Sequence, residues 1–380
     1  MRLWPNRMSI PFNRPYLTGK EIDSIKQVLE SRHLSGNGAF TKKCEQILEK
    51  ATGAKKALLV HSCTAALEMA ALMCDLKPGD EVIMPSFTFV TTASSVALRG
   101  AVPVFIDVRS DTLNINEKLI EDAITPKTKA ITAVHYAGIG AEMDSILRIA
   151  KKHGLRVIED AAQCAGSSYK GRALGSIGDM GAMSFHETKN VVSGEGGALL
   201  VNDPELVLRG EIVREKGTNR TSFFRKEVAF YTWVELGSSY VISELLAAFL
   251  TAQLENLESI TAQRLKIWNH YYEAFADLER KGIARRPQIP EDCKQNGHIF
   301  YLLLPDSDRR EKLISALKKD GVDSTFHYLP LHASPAGKKY GRAHGSLPET
   351  TRASECLVRL PLWAELEHLE RVVDAVKKNI

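Results

Sequence analysis

A regular alternation of short apolar runs and helical segments, between about residues 56 and 202, most constrains the fold. Helical patterns such as TAALEMAALMCDL and EMDSILRIAKKHG separate several of the runs. The seven runs are KALLVHS, DEVIMPS, AVPVFIDV, TKAITAVHY, GLRVIED, GAMSFH and GALLVND. Apolar strands that alternate with helices predict an α/β fold with a mostly parallel, seven-stranded sheet covered on both faces. Because such sheets bind ligands beyond the carboxyl ends of their strands, residues that follow each run are site candidates.

The pattern changes after the last apolar run. Residues 240–285 have helical periodicity, and the prolines of ARRPQIPEDC then interrupt it. The rest of the chain mixes the apolar strand HIFYLLLP with helical segments. We therefore predict a large domain over residues 1–255 and a smaller C-terminal α+β domain over residues 256–380. The aromatic, basic segment 214–239 is predicted to be an extended loop at a site or a subunit contact.

Composition and charge narrow the class of protein. The 380 residues are 44% hydrophobic and 25% charged, which is typical of globular proteins. The net charge of +4 is scattered along the chain and does not indicate a nucleic-acid partner. No apolar run approaches the roughly 18–20 residues of a membrane span, and the N-terminus lacks the apolar region of a secretory signal. Six dispersed cysteines, without a CxxC pair or zinc spacing, predict a cytoplasmic protein with no metal site.

Lys189 lies just past the run GAMSFH and shortly before the glycine-rich turn GEGG. A lysine considered alone is most often a solvated surface group. Its amine becomes a nucleophile toward carbonyls when burial or a neighbouring charge keeps it neutral. Lys189 is therefore a candidate for the covalent link to an aldehyde cofactor. The glycines predict either an ordinary hairpin turn or a close backbone approach beside the site.

Asp160 ends the apolar run GLRVIED, where a carboxylate either caps the next helix or faces a ligand. A pyridine cofactor needs a carboxylate beside its ring nitrogen, because the negative charge keeps that nitrogen protonated. Gln163, three residues further on, is a candidate donor to the ring oxygen of such a cofactor.

Three further groups suit a phosphorylated aromatic ligand. Cys63 and Thr64 stand at a strand–helix junction in HSCTAAL, where free amides form either an anion site or a plain helix cap. Ser184, in the run before the lysine, supplies another hydroxyl for a phosphate. Phe89 follows the second run and either stacks on a flat ring or packs in the core. Combined with the lysine and the carboxylate, these residues match pyridoxal 5′-phosphate.

From about residue 9 to its end, the chain resembles the DegT/DnrJ/EryC1/StrS sugar aminotransferases. These are pyridoxal-phosphate enzymes of fold type I, the aspartate-aminotransferase fold. The resemblance rests on motifs in the family's order, namely IPFNRP, LSGNGAFTKKCE, PGDEVIMPSFTFVTTASSVALRGAVPVFIDV, VIEDAAQ, YKGRALGSIGDMGAMSFHETKN, GEGGALLVND and FHYLPLH.

The resemblance implies a role for each candidate. Lys189 carries the cofactor and moves protons, and Asp160 pairs with the ring nitrogen. Gln163 contacts the ring hydroxyl. The contacts to the phosphate and to the ring face come from Cys63, Thr64, Ser184 and Phe89.

The resemblance also implies a homodimer whose active sites lie at the subunit interface. Many relatives carry GYNYRMSDLQAA where this chain has GSSYVISELLAA, so Ser239 replaces an asparagine that reaches the neighbouring subunit's phosphate. We predict Ser239 as a cross-subunit phosphate contact. Candidates for sugar or nucleotide contacts, each equally compatible with a core or surface role, are Arg220, His327, Tyr328 and His332.

Within the family, the stretches SCTAALEMAAL, VHYAG, SFHETKN, REKGTNR and LGSSYVISE are similar to enzymes that make dTDP-4-amino-4,6-dideoxygalactose for surface glycans such as enterobacterial common antigen. This implies L-glutamate and dTDP-4-keto-6-deoxyglucose as substrates. The alternatives are an aminotransferase with another keto sugar or product configuration, a pyridoxal-dependent sugar dehydratase, and a cofactor-binding regulatory protein. Lys189 argues against the dehydratase, which carries histidine there, and we expect no segment for a regulator's DNA-binding domain.

Overall fold

The computed structural model describes residues 9–380, and a central sheet organises most of them. The strands are β1 (Lys56–Val60), β2 (Glu81–Pro85), β3 (Val102–Ile106), β4 (Thr128–Val134), β5 (Arg156–Asp160), β6 (Ser168–Tyr169), β7 (Arg172–Ala173), β8 (Met180–Ser184), β9 (Gly197–Val201), β10 (Cys293–Lys294), β11 (Phe300–Leu303), β12 (Arg342–Ala343) and β13 (Leu357–Leu360). Eight of them form the central sheet, in the order β1-β9-β8-β5-β4-β2-β3-β12.

The helices cover this sheet and build the C-terminal region. They are α1 (Glu21–Ser31), α2 (Ala39–Thr52), α3 (Cys63–Met73), α4 (Val90–Ala97), α5 (Ile120–Ala123), α6 (Met143–His153), α7 (Val207–Arg214), α8 (Arg220–Phe224), α9 (Glu244–Leu254), α10 (Leu257–Ala274), α11 (Ala276–Arg280), α12 (Ser307–Lys319), α13 (Pro335–Tyr340), α14 (Pro348–Cys356) and α15 (Leu369–Asn379). Within residues 9–380, no helix combines the length and apolar character needed to cross a bilayer.

The predicted mostly parallel sheet is confirmed, and all seven predicted strands are present. Strands β3, β2, β4, β5 and β8 are successive parallel neighbours, whereas β9 runs antiparallel between β8 and β1. The strand count is corrected from seven to eight, because β12 pairs with β3 in parallel. Strand β12 has only two residues and follows β3 by more than 230 positions, so no periodic pattern in the sequence could reveal it.

Alternate residues of β1 show why the sheet is buried on both sides. Leu58 and Val60 pack in one apolar cluster with α3, while Ala57 and Leu59 pack in another with α2 and α9. Side chains of a strand point to opposite faces in turn, so helices on both faces require an apolar residue at every position. The continuous apolar runs of the sequence reflect this double burial.

The C-terminal region has an apolar cluster of its own. It joins residues of α10, β11, α12, β13 and α15, with Tyr271 and Phe300 fully buried inside it. Ile10 of the N-terminal segment belongs to the same cluster, and its amide donates to the Gly321 carbonyl at 2.8 Å. The predicted boundary between residues 255 and 256 stays a prediction.

The aromatic segment 214–239 contains the short helix α8 and otherwise irregular backbone. Several of its large apolar side chains are exposed, unlike those of the sheet. They are Phe224, Phe230, Tyr231, Trp233, Val234 and Leu236.

Candidate active site

A cavity of about 490 Å³ lies beyond the carboxyl ends of β5 and β8, and residues of the C-terminal region close one side of it. Its position agrees with the rule for open α/β sheets. The fold brings together nine of the residues predicted from the sequence. These lining residues are Cys63, Thr64, Phe89, Asp160, Gln163, Ser184, Lys189, His327 and Tyr328.

Lys189 follows β8 in a tight turn, and its amide donates to the His186 carbonyl at 2.9 Å. Its ammonium has no hydrogen-bond or ion-pair partner among residues 9–380. Burial lowers the pKa of Lys189 and outweighs the Asp160 carboxylate, which acts in the opposite direction. A lysine with a lowered pKa supplies a neutral, nucleophilic amine more readily than a surface lysine does.

Cys63 lines the same cavity, so its thiol is the competing nucleophile. Burial raises the pKa of Cys63 well above its usual range, and the Asp160 carboxylate adds to that shift. The thiolate is the reactive form of cysteine, so a raised pKa makes this thiol less reactive. Lys189 is therefore the stronger nucleophile of the two.

Asp160 is the last residue of β5 and is 5% exposed. One carboxylate oxygen accepts from the Thr92 hydroxyl at 2.7 Å, and the other accepts from the Ala162 amide at 3.2 Å. The carboxylate caps the turn that follows β5, where no helix begins, and it also lines the cavity. Its predicted contact with a ligand stays a prediction. Thr92, which had no signal in the sequence, fixes its orientation.

The N-terminus of α3 forms one wall of the cavity. Ser62 is its N-cap, with a side-chain oxygen that accepts from the Ala65 amide at 3.1 Å. Cys63 and Thr64 follow it, at positions whose amides have no acceptor inside the helix. A Cβ atom on Gly197 would lie 2.4 Å from the Cys63 nitrogen, so only glycine lets β9 approach this helix end. Gly197, the last residue of GEGG, therefore makes possible the close backbone approach predicted from the sequence.

Aromatic side chains frame the opposite side of the cavity. His327 and Tyr328 stack at 3.7 Å between ring centroids, and the Gln163 amide donates to the Tyr328 hydroxyl at 2.8 Å. The Tyr136 hydroxyl and His327 Nδ1 share a hydrogen bond of 2.7 Å. Phe89 lines the cavity with 55% of its surface exposed, so it does not pack in the core.

Three predicted residues do not line the cavity in this chain. Arg220 is exposed and its guanidinium lies 3.6 Å from Glu215, while Ser239 is exposed beside the same segment. His332 Nδ1 bonds the Ser86 hydroxyl at 2.7 Å. Their proposed contacts to a sugar, a nucleotide or a neighbouring subunit stay predictions.

Reasoning from the sequence found no role for Asn190, which is buried beside Lys189. Its amide nitrogen donates to the Asn296 carbonyl at 2.9 Å, and its oxygen bonds His298 Nδ1 at 2.9 Å. This side chain therefore ties the lysine turn to the segment that leads into β11. A residue 106 positions away in sequence supplies its partner, which no local pattern could indicate.

Other cavity residues were also missed. Arg359 interrupts the apolar stretch CLVRLPL, and that single charge within a strand was the available signal. The other missed residues lie in parts of the sequence that resemble ordinary core or surface segments. The missed lining residues include Phe12, Asn13, Arg264, His298 and Arg359.

The residues present fit pyridoxal 5′-phosphate. Lys189 supplies an amine for the aldehyde, and the buried Asp160 supplies a carboxylate for the ring nitrogen. The α3 N-terminus and the Ser184 hydroxyl suit the phosphate, and Gly197 lets β9 pack closely against this helix end. The individual roles stay predictions. Among residues 9–380, no group of three His, Cys, Asp or Glu side chains is arranged to hold a metal ion.

Comparison with known proteins gives the same picture. Residues 15–377 match the DegT/DnrJ/EryC1/StrS aminotransferase family. The chain is 36% identical to the uncharacterized protein MJ1066 of Methanocaldococcus jannaschii, covering 98% of this chain and 97% of that protein. It is 34% identical to the spore coat polysaccharide biosynthesis protein SpsC of Bacillus subtilis, covering 97% and 96% of the two chains.

A solved structure extends the likeness to the whole fold. DesV of S. venezuelae, determined in complex with a ketimine intermediate, is 31% identical and superposes with a TM-score of 0.88 over 97% of this chain and 98% of its own. The family match spans nearly the whole chain, and the cavity brings together the residues predicted to bind the family's cofactor. The chain therefore belongs to the DegT/DnrJ/EryC1/StrS aminotransferase family, and it is a pyridoxal-phosphate-dependent sugar aminotransferase of fold type I.

Proposed function

We propose that this enzyme moves the amino group of L-glutamate to C4 of dTDP-4-keto-6-deoxy-D-glucose. The products are dTDP-4-amino-4,6-dideoxy-D-galactose and 2-oxoglutarate, and the amino sugar serves surface polysaccharide synthesis of the enterobacterial common antigen type. The observation that carries the transfer reaction is the amine of Lys189 in a cavity it shares with the Asp160 carboxylate. The sugar assignment is supported by the sequence stretches similar to enzymes that make this product, and SpsC acts in biosynthesis of another polysaccharide.

Different residues of this chain carry out different parts of the reaction. When bound, pyridoxal phosphate withdraws electrons from the Cα–H bond of the amino donor. Lys189 takes the Cα proton as a base, and its lowered pKa favours the neutral amine that this step needs. Asp160, oriented by Thr92, would supply a carboxylate to the ring nitrogen. Donor and sugar use the site in turn, so one lysine serves both halves of the reaction.

The first experiment tests the cofactor role of Lys189. The purified protein is mixed with pyridoxal phosphate, and the visible absorbance of the lysine-bound cofactor is recorded. Lys189→Ala should abolish the band and the turnover, whereas Lys170→Ala, a lysine on the exposed β6–β7 turn, should leave both unchanged. The reading is falsified if the wild-type protein shows no band that Lys189→Ala removes.

The second experiment tests the sugar substrate. The holoenzyme is supplied with L-glutamate and dTDP-4-keto-6-deoxyglucose, and NMR reads the configuration at C4 of the product. An axial amine supports the galactose assignment. An equatorial amine contradicts it and favours the alternative, a family member with another product configuration. Failure to convert this sugar, with transfer to another keto sugar, identifies a different substrate.

We propose further that the enzyme is a cytoplasmic homodimer with active sites at the subunit interface. The exposed apolar side chains of segment 214–239 suit a subunit contact, because exposed patches of this kind mark interaction surfaces. Six free cysteines suit a reducing compartment. Light scattering should give twice the mass of 42.1 kDa. A monomer that turns over at the same rate per chain would contradict the shared site.

A further inference from the structure

Two buried threonine hydroxyls form a hydrogen-bonded chain that ends on the Asp160 carboxylate. Thr92 of α4 donates from Oγ1 to Asp160 Oδ2 at 2.7 Å, and the same Oγ1 lies 2.8 Å from Oγ1 of Thr88. Thr88 precedes α4 and is 2% exposed, while Thr92 is 1% exposed. Thr88 also lines the active-site cavity. The chain therefore connects the cavity wall to the carboxylate through protein atoms alone.

The positions of the hydrogens in this chain follow from the number of donors. A threonine hydroxyl carries one hydrogen, and an ionised carboxylate can only accept. The single hydrogen of the Thr92 hydroxyl is shared with Asp160, so the hydrogen between the two threonines comes from Thr88. Both bonds thus point toward the carboxylate. A hydroxyl that accepts a hydrogen bond becomes a stronger donor, so Thr88 strengthens the bond from Thr92 to Asp160.

The neighbouring carboxylate, Glu159, shows a purely structural arrangement on the same strand. Glu159 is fully buried, and its two oxygens make four hydrogen bonds. The partners are His135 Nε2 and the amides of Gly175, Ile177 and Gly178. A carboxylate offers about four acceptor sites, so Glu159 has none left for a ligand.

Asp160 keeps acceptor sites that Glu159 does not have. Among residues 9–380, its carboxylate makes no ion pair, and its donors are the Thr92 hydroxyl and the Ala162 amide. About two acceptor sites therefore remain on a carboxylate that lines the cavity. Burial of a carboxylate without a cation is destabilising, and hydrogen bonds to the charged form offset that effect. The hydroxyl chain supports the charge and leaves room for one more donor from a ligand.

We propose that Thr88 and Thr92 are positioning residues that keep Asp160 ionised and oriented toward the ring nitrogen of pyridoxal phosphate. Thr88 acts only through Thr92. The inference rests on the proposed contact between Asp160 and that nitrogen, and it adds the residues that determine the strength of the contact. Breaking the chain should weaken the attraction for a protonated ring nitrogen and leave the contacts to the phosphate and the aldehyde unchanged.

The test compares pyridoxal phosphate with an analogue in which carbon replaces the ring nitrogen. Absorbance titration of the apoenzyme gives the dissociation constant of each ligand. The ratio of the two constants is the preference for the natural cofactor, and it measures the nitrogen contact alone. Asp160→Asn is the reference for complete loss of the carboxylate charge. General damage to the fold weakens both ligands equally and leaves the preference unchanged.

The two threonines should affect this preference to different extents. Thr92→Val removes a hydrogen bond to a charged group and should lower the preference by about 10- to 100-fold. Thr88→Val removes a bond between neutral hydroxyls and should lower it by about 2- to 10-fold. Thr88→Ser keeps the hydroxyl and should restore the wild-type preference. In a Thr92→Val protein, Thr88→Val should have no further effect, because the chain is already broken.

Ser95→Ala is the matched control. Ser95 lies on the same helix and is 3% exposed, and its hydroxyl donates to the backbone carbonyl of Thr92 at 3.3 Å. This variant loses a buried hydroxyl outside the chain, so it should keep the wild-type preference. A wild-type preference in folded Thr88→Val would overturn the proposal. An effect of Thr88→Val that is equally large with and without the Thr92 hydroxyl would also overturn it.

The proposals fail separately. A wild-type preference in Asp160→Asn would contradict the contact with the ring nitrogen, and the role of the chain with it. A preference that depends on Asp160 but not on either threonine refutes the hydroxyl chain alone. A preference that depends on the threonines, in a protein that does not transfer the amine from L-glutamate to the sugar, refutes the proposed function alone.

Discussion

Substituting Gly197 by alanine should selectively damage the phosphate side of the cofactor site. Gly197 begins β9, and a Cβ there would lie 2.4 Å from the Cys63 nitrogen and from the Ser62 carbonyl carbon. These are backbone atoms at the start of α3, so no side-chain rotation can relieve the clash. Restoring ordinary contact requires a shift of about 1 Å between β9 and the helix end.

The expected magnitude follows from that shift. Overpacking of this kind costs about 1–3 kcal/mol of folding stability. A displacement of about 1 Å breaks a hydrogen bond of normal length. Each amide hydrogen bond to a charged phosphate contributes about 1.5–3 kcal/mol. Loss of one such bond corresponds to about 10- to 100-fold weaker binding of pyridoxal phosphate.

The assay compares pyridoxal phosphate with pyridoxal, which lacks the phosphate, by absorbance titration of the apoenzyme. Gly197→Ala should reduce the preference for the phosphorylated form and leave pyridoxal affinity nearly unchanged. Gly194→Ala is the control: it strains a residue with φ of +85° in the same turn, but its Cβ meets no atom within 4 Å. An unaltered preference in a folded Gly197→Ala protein would refute the assignment of this helix end to the phosphate.

Three further predictions concern the lysine turn and the ring nitrogen. Asn190→Ala leaves the Asn296 carbonyl and His298 Nδ1 without their hydrogen-bond partner, so urea titration should show a loss of about 2–4 kcal/mol in unfolding free energy. A loss below about 1 kcal/mol would contradict the role of Asn190 in anchoring the lysine turn. Burial lowers the pKa of Lys189 in the folded protein below the unfolded value near 10.4. The buried charge therefore destabilises the folded state fully at low pH, and this destabilisation disappears as the pH rises from the folded pKa to the unfolded pKa. The stabilisation of the apoenzyme by Lys189→Met, from urea titration, should therefore be larger at about pH 7 than at about pH 9.5, and the opposite trend would refute the lowered pKa. Asp160→Asn removes the charge beside the ring nitrogen and should reduce kcat by about 100-fold or more in the coupled turnover assay; near-normal turnover would exclude that role.

The sheet could be predicted from the sequence because double burial leaves a local trace. Strands covered on both faces are apolar at every position, so seven runs identified seven strands and their mostly parallel class. The residues after those runs, among them Asp160 and Lys189, were therefore predicted at the correct edge. The antiparallel direction of β9 and the added strand β12 depend on how distant segments meet, and neither leaves a periodic signal.

The cavity likewise contains some residues that the sequence could predict and others that only the folded structure could identify. Phe89 could be either a core or a ring-facing residue on sequence grounds, and its exposure in the structure excludes the core. Arg264 and Arg359 lie in a helix and a strand of the C-terminal region, where their neighbours in sequence indicate only packing. Their place in the cavity becomes visible only when the C-terminal region closes over the sheet.

The sequence by itself determined the mostly parallel sheet and the family, and it predicted Lys189 and Asp160 as a reactive pair, because strand periodicity and the chemistry of a lysine with a carboxylate are expressed in short segments. Only the tertiary structure decided how that pair is supported. Thr92 orients Asp160, and Asn190 anchors the turn of Lys189. Gly197 lets β9 pack closely against the N-terminus of α3. Each of these contacts joins residues at least 68 positions apart. Hydrogen bonds and close contacts depend on distance in space, which the order of residues along a chain does not specify.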